Sequence, residues 1–191
     1  QFSLTLRSMY RCDILSVAAL TVVSVVLAAD KECTLTPDEA PWDCCQLSEE
    51  YINNMENGTR KCLDKLPDPP MVSGDSTQTT ELNNYQACLQ ECIYTESGLF
   101  TGDKTLNKTA ILKVFSTTDK EVNSVGTAAV NKCITSYLKD VDKSLDCKSG
   151  ALEFEMCTSR EVFLNCPTSL WKSSKECADI KAKIQKCPSL L

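Results

Sequence analysis

Cysteine constrains this chain more than any other residue type. The sequence contains 13 cysteines and no histidine among its 191 residues. Cys12 lies in an N-terminal segment that is expected to be removed, which leaves twelve cysteines, an even number. In a secreted chain, an even and dense set of cysteines indicates a disulfide framework rather than thiol chemistry. Six bridges at about 2–4 kcal/mol each would exceed the net stability of an ordinary domain.

The N-terminal sequence has the features of a secretory signal. We interpret residues 1–8 as upstream translated sequence and Met9 as the start. Met9 is followed by a basic residue, an apolar stretch of fourteen residues at 14–27 and a small-residue cleavage site. The apolar stretch is too short to span a bilayer comfortably. We therefore predict a signal peptide over 9–28 and one secreted, extracellular domain over 29–191. Two matches to the N-glycosylation acceptor fit that compartment: Asn57-Gly58-Thr59 and Asn107-Lys108-Thr109.

Charge and the missing histidine argue against several functions. The sequence has 20 basic and 26 acidic residues, of which two basic residues and one acidic residue precede residue 29. The predicted domain therefore has 18 basic and 25 acidic residues, a formal charge of −7. Such a charge disfavours nucleic acid and anionic membrane surfaces as partners. Without histidine, neither a Ser-His-Asp nor a Cys-His nucleophile can form, and no His-ligated zinc site can form. We expect no enzyme, no metal or cofactor, and no nucleic-acid partner.

Apolar residues recur at helical spacing along most of the chain, whereas convincing period-2 runs are missing. The predicted fold class is all-α. Residues 33–45, "CTLTPDEAPWDCC", contain two prolines and show no periodicity, so they are predicted to form an irregular arm held by sulfur. Five helices are predicted with both bounds: 46–57, 59–66, 107–117, 151–165 and 169–186. Two more are predicted from their caps. One is capped by Thr80 and stopped by Gly98, and a long one is capped by Asp119 and has an apolar stripe through Val141.

Two cysteine spacings carry geometric information. Cys88 and Cys92 lie four residues apart on one helical face, about 5–6 Å apart at Cβ. Because a disulfide needs about 3.5–4.5 Å between Cβ atoms, each should bond elsewhere. Cys157 and Cys166 are nine residues apart and fall on opposite faces of their predicted helix at about 100° per residue. Bridges from such positions lock several helices together, and a shell fixed in this way can surround a cavity.

The cysteine series resembles that of a known family. Its first part is similar to the first four cysteines of insect odorant-binding proteins: Cys62-x25-Cys88-x3-Cys92-x40-Cys133. Its second part resembles the Plus-C subclass, which has extra cysteines and a proline after the sixth conserved one: Cys147-x9-Cys157-x8-Cys166-Pro167, then Cys177. The run "CLQECIYTESGLFTGDKTLNKTAIL" is similar to the family's third-to-fourth helix segment.

The resemblance implies a disulfide-interlocked shell of six to eight helices around an apolar cavity, with a cysteine-rich N-terminal arm and an extra C-terminal helix. It implies three pairings: Cys62 with Cys92, Cys88 with Cys157, and Cys133 or Cys147 with Cys166. The other pairings stay open, although the adjacent Cys44 and Cys45 should have different partners. The cysteines expected in disulfides are Cys33, Cys44, Cys45, Cys62, Cys88, Cys92, Cys133, Cys147, Cys157, Cys166, Cys177 and Cys187.

The function implied by the resemblance is that of a carrier. Such a protein binds small hydrophobic, odorant-like molecules and transports them through extracellular fluid to a membrane odorant receptor, as a monomer or homodimer. The alternative is a disulfide-stabilised interaction or defence protein with no small-molecule ligand. Apolar residues at helical spacing are also what an ordinary core contains. The candidate pocket-lining residues are Tyr85, Leu89, Phe100, Ile111, Phe115, Val125, Ala129, Phe154, Met156 and Phe163.

The absence of histidine also bears on pH dependence. Histidine is the usual switch near neutral pH, whereas ordinary carboxyl groups titrate at about pH 4. We therefore expect ligand affinity to be nearly flat from about pH 7.5 to about pH 5.5. Release at higher pH would require a buried carboxyl group with a strongly raised pKa.

Overall fold

A computed structural model describes residues 33–36, 38–47, 49–70, 76–188 and 190–191, and for 49–55 and 76–79 it describes the backbone. The predicted signal peptide lies outside the described residues. Within them, all regular structure is helical, apart from two isolated β-bridges. The predicted all-α class is confirmed.

Six α-helices form the described part: α1 Glu49–Leu63, α2 Ser76–Glu96, α3 Lys108–Val114, α4 Lys120–Cys133, α5 Ala151–Leu164 and α6 Lys175–Lys186. Two 3-10 turns, Pro41–Asp43 and Tyr137–Lys139, accompany them. Helix α5 is central, since it packs against α2, α4, α6 and the second 3-10 turn. Its start matches the prediction and its end differs by one residue.

The chain forms one helix, α1, where the sequence predicted two at 46–57 and 59–66. That prediction is wrong because Gly58 serves packing instead of breaking the helix. Gly58 is buried, and a Cβ added to it would lie 2.3 Å from Ser97 Oγ and 3.3 Å from the carbonyl oxygen of Ile93. The missing side chain lets α1 approach α2 closely.

Helix α2 ends where the sequence predicted, although it begins at Ser76 and not at Thr80. Gly98 follows the helix with a φ of +67°. The Leu99 N–H donates to the carbonyl oxygen of Tyr94 at 2.8 Å, and the Gly98 N–H donates to that of Thr95 at 3.1 Å. These two bonds form the Schellman motif, in which glycine is favoured.

Helix α4 begins as predicted and ends early. The Asp119 side chain accepts from the N–H groups of the first turn at 2.8 and 3.1 Å, as expected of an N-cap. The helix stops at Cys133, although the apolar stripe continues to Val141. Thr135 Oγ1 donates to the carbonyl oxygen of Lys132 at 2.9 Å. Such side-chain bonds compete with continuation of the helix. The apolar residues of the stripe after Cys133 therefore lie in turns and not in the helix.

Helix α6 begins at Lys175, later than the predicted 169, because the preceding residues pair with the N-terminal arm. The Gln46 N–H donates to the carbonyl oxygen of Leu170 at 3.2 Å, and the Lys172 N–H donates to that of Cys44 at 2.9 Å. Ser174 then caps α6 by accepting from a backbone N–H at 3.1 Å.

Helix α3 is also shorter than the predicted 107–117. The side chain of Asn107, one of the two glycosylation acceptors, caps it by accepting from the Ala110 N–H at 3.2 Å. The other acceptor, Asn57, is exposed on α1.

The twelve cysteines from residue 33 onward form six disulfides: Cys33–Cys187, Cys44–Cys177, Cys45–Cys166, Cys62–Cys92, Cys88–Cys147 and Cys133–Cys157. Three predictions are confirmed: the pair Cys62–Cys92, separate bridges for Cys88 and Cys92, and different partners for Cys44 and Cys45. The implied pairs Cys88–Cys157 and Cys133 or Cys147 with Cys166 are wrong.

The physical reason lies in the loop before α5. The Asn84 amide donates to Asp146 Oδ2 at 2.8 Å and accepts from the Asp146 N–H at 2.8 Å. These bonds hold the neighbouring Cys147 against α2, within one turn of Cys88. Cys157 is thereby left for α4, where it bonds Cys133.

Buried side chains form two clusters. The larger one lies among α1 to α5 and includes Tyr94, Ile111 and Phe154. The smaller one joins the arm to the end of α5 and to α6, and it includes Phe163 and Ile180 together with the cysteines that anchor the arm. In the ranges given above, no helix has both the length and the apolar character that crossing a membrane requires.

Candidate functional site

A cavity of about 380 Å³ lies between the N-terminal arm and α5. The arm and the two residues that follow it contribute one wall, and all of these lining residues precede α1. Helix α5 contributes the other. The lining residues are Trp42, Cys45, Gln46, Leu47, Glu155, Ser159 and Val162.

A second cavity, of about 430 Å³, shares Trp42, Glu155 and Ser159 with the first. Its other lining residues come from α2, from α5 and from the C-terminal segment: Gln86, Leu89, Gln90, Leu152, Met156 and Leu191. Because three residues border both, we treat the two cavities as one site and call it the Glu155 cleft. Most of its lining is apolar.

The helical wall follows directly from the sequence of α5. Leu152, Glu155, Ser159 and Val162 are spaced by three or four residues, so they lie on one face of the helix. The opposite side of α5 supplies Phe154, which is fully buried in the larger core cluster. The helix is therefore held rigidly by its core side while its other face borders the cleft.

The arm has no helix to hold it, and its position depends on covalent and ionic contacts. Cys44 and Cys45 bond residues on α6 and just after α5. Glu39 accepts from Lys183 Nζ at 2.7 and 3.0 Å, and both side chains are less than one quarter exposed. The hydrogen bond from Lys183 lowers the pKa of Glu39. These contacts fix Trp42, itself 47% exposed, at the edge of the cleft.

Glu155 dominates the electrostatics of the cleft. Its Oε2 accepts from the hydroxyl of the buried Tyr94 at 2.8 Å, and its Oε1 accepts from Ser159 Oγ at 3.2 Å. Within the described part of the chain, no ion pair involves Glu155. Burial raises the pKa of this carboxyl, and the two hydrogen bonds act in the opposite direction. Glu155 is thus the kind of carboxyl that the expectation of flat pH dependence did not include.

The predicted lining residues are divided among three environments. Leu89 and Met156 border the second cavity of the cleft. Phe115 and Val125 border a small void of about 10 Å³, which shares Leu47 and Val162 with the first cavity. The others pack in or beside the two core clusters, or are half-buried without bordering these cavities: Tyr85, Phe100, Ile111, Ala129, Phe154 and Phe163. As ligand contacts, all ten stay predictions.

Sequence reasoning missed most of the cleft. Trp42 belongs to the segment 33–45, which has no periodicity and was predicted only to be held by sulfur. Gln46 and Leu47 were predicted to begin the helix 46–57, but they precede α1. Glu155 and Ser159 were missed on a helix whose bounds were predicted well. The available signal was an acidic residue on the same face as Leu152 and Val162.

Among the described residues, no group of three or more Cys, Asp and Glu side chains is arranged to hold a metal ion. Comparison with known proteins gives no relative: no protein-family model, no curated protein and no solved structure matches this chain. A functional assignment therefore depends on the geometry of the cleft.

Proposed function

We propose that the protein is a secreted carrier that binds small hydrophobic molecules in the Glu155 cleft and transports them through extracellular fluid to receptors. The observation that carries this proposal is the cleft. Its cavities, of about 380 and 430 Å³, lie in the range of about 300–1,000 Å³ that small-ligand sites occupy. An apolar lining with a few polar groups is typical of such sites. The helices would form the shell, and the arm would form one wall around the cargo.

The order of the disulfides supports the family resemblance. Counted from Cys62 to Cys157, six cysteines pair first with third, second with fifth and fourth with sixth. The expected pairs had the same interlocked order, displaced by one cysteine. Cys147 now takes the fifth place and Cys157 the sixth, while Cys166 becomes an extra cysteine that anchors the arm. The proline after Cys166 then no longer follows the sixth cysteine, which departs from the subclass pattern.

The dense disulfides favour the extracellular part of the proposal. Six bridges in the described part of one chain are typical of proteins that fold in an oxidising compartment. Mass spectrometry of the secreted protein under native conditions, with identification of co-purified small molecules, would test secretion and cargo together.

A fluorescence titration tests the binding site directly. The oxidised protein should bind N-phenyl-1-naphthylamine at micromolar concentration, and uncharged aliphatic or aromatic compounds should displace it. Ser159→Phe places a ring in the cleft and should abolish binding. Ser124→Phe makes the same change at an exposed position of α4 and should leave binding intact.

Two outcomes contradict the proposal in different ways. Full binding by the Ser159→Phe variant would place the ligand elsewhere in the molecule. No probe binding by protein that circular dichroism shows to be helical would favour the alternative, a disulfide-stabilised interaction or defence protein.

A further inference from the structure

Glu155 is the one charged side chain among the described residues that line the cleft. Each of its oxygens accepts one hydrogen bond from a neutral group of the protein, Tyr94 or Ser159. A carboxylate offers about four lone-pair positions. Each oxygen therefore retains capacity for a donor, and the two existing bonds supply no positive charge.

Two basic side chains, one on α5 and one on α6, are engaged elsewhere. Arg160, on the same helix, donates to three backbone carbonyl oxygens of the segment 185–190 at 3.0 to 3.4 Å. Lys183, on α6, pairs with Glu39. Partial burial of a carboxylate without a counter-ion is unfavourable, and this desolvation raises the pKa of Glu155. Among the described residues, the cleft thus has an acidic group without a positive partner in a mostly apolar lining.

We propose that the cleft selects hydrophobic amines, whose ammonium group pairs with Glu155 while the apolar body lies against the rest of the lining. This inference rests on the carrier function proposed above and names its class of cargo. An ammonium group supplies both the counter-charge and the N–H donors for the unused acceptor positions. Trp42 borders both cavities together with Glu155, and aromatic faces attract ammonium groups. The chain's net charge of −6 favours the approach of cations.

A matched pair of ligands isolates the head group. Octylamine and 1-octanol have the same alkyl chain, and only the amine is cationic at pH 7.5. Displacement of N-phenyl-1-naphthylamine at low ionic strength measures both affinities. Octylamine should bind about tenfold more tightly than octanol, as expected for a charge-assisted hydrogen bond in a partly buried site.

Two variants assign the preference to a residue. Glu155→Gln keeps the shape of the side chain and removes its charge, so the ratio of the two affinities should fall to about one through weaker amine binding. Glu153→Gln removes the same charge from the same helix at a position that does not line the cleft, and the ratio should be unchanged. In the unmodified protein, added NaCl should weaken octylamine binding and leave octanol binding unaffected.

The outcomes separate this inference from the carrier proposal. Octanol binding as tight as octylamine binding, or an unchanged ratio in Glu155→Gln, overturns the amine preference and leaves the carrier function standing. An equal loss of affinity for both ligands in Glu155→Gln would indicate that the residue has a structural role, and it would also overturn the inference. Failure of both compounds and of the probe to bind overturns the carrier function itself.

Discussion

Removing the Cys45–Cys166 disulfide releases the arm from the end of α5 without disturbing the other five bridges. These two cysteines are 121 residues apart, and the chain-entropy relation for an isolated loop of that length gives about 4.9 kcal/mol. The neighbouring bridge shortens the loop. From Cys45 the path runs one residue to Cys44, crosses to Cys177 and returns eleven residues to Cys166. An effective loop of about twelve residues gives about 2.8 kcal/mol.

The Cys62–Cys92 disulfide is the matched control. Its loop spans 30 residues, and no path through the other bridges is shorter, so its removal should cost about 3.6 kcal/mol. It joins α1 to α2, and neither cysteine lines the cleft, whereas Cys45 does. The two double Cys→Ser variants should therefore rank in opposite orders: the Cys62–Cys92 variant loses more stability, and the Cys45–Cys166 variant loses more ligand affinity.

Urea unfolding followed by circular dichroism gives the free energies, and probe titration of the same folded preparations gives the affinities. The Cys45–Cys166 variant should bind at least about tenfold more weakly, because binding must reorder arm side chains at about 0.5–1.5 kcal/mol each. A stability loss of about 4.9 kcal/mol would refute the reasoning that the neighbouring bridge shortens the loop. Equal loss of affinity in both variants would show that the arm does not shape the binding site.

Three further predictions concern single positions. Gly126→Ala should destabilise the protein by about 1–3 kcal/mol, since its Cβ would lie 2.9 Å from the buried Phe115 ring, whereas Ser124→Ala on the same helix should be nearly neutral in urea unfolding. Glu39→Gln should cost up to about 1 kcal/mol at pH 7, and this cost should diminish as the pH falls below the ordinary carboxyl range. The reason is that a lowered pKa contributes stability above the ordinary value and loses it as pH falls through the folded-state value. Glu155→Gln should raise the melting temperature at pH 8 and not at pH 4. Because the pKa of Glu155 is raised in the folded state, this partly buried carboxyl destabilises the fold at a pH above the ordinary carboxyl range and has no such effect below it. A lower melting temperature of this variant at pH 8 would contradict that reasoning.

The sequence correctly predicts those features of the fold that depend on residues close together along the chain. Asp119 caps α4 and Gly98 ends α2 through bonds to backbone groups within five positions, so composition and spacing suffice to place them. Gly58 is the contrasting case. Its role depends on Ser97 and Ile93 on another helix, and the sequence around it gives no sign of that contact.

The disulfides show the same division. Helical geometry is enough to decide that Cys88 and Cys92 do not bond each other, because the distance between them is set within one helix. Their partners depend on how loops return to α2. The bonds between Asn84 and Asp146 join residues 62 positions apart, and they bring Cys147 to Cys88. No cysteine spacing encodes that contact.

The cleft extends this reasoning to function. Glu153 and Glu155 flank the buried Phe154, and on a helix they lie about 160° apart around the axis. The sequence of α5 places Glu155 on the same face as Leu152 and Val162, but it does not show that this face borders a cleft. The choice is made by the arm, which covers the face of Glu155 because Cys44 and Cys45 are bonded on that side. Since the arm has no periodicity, the acidic residue that we propose as the contact for cargo is identified only once the disulfides are placed.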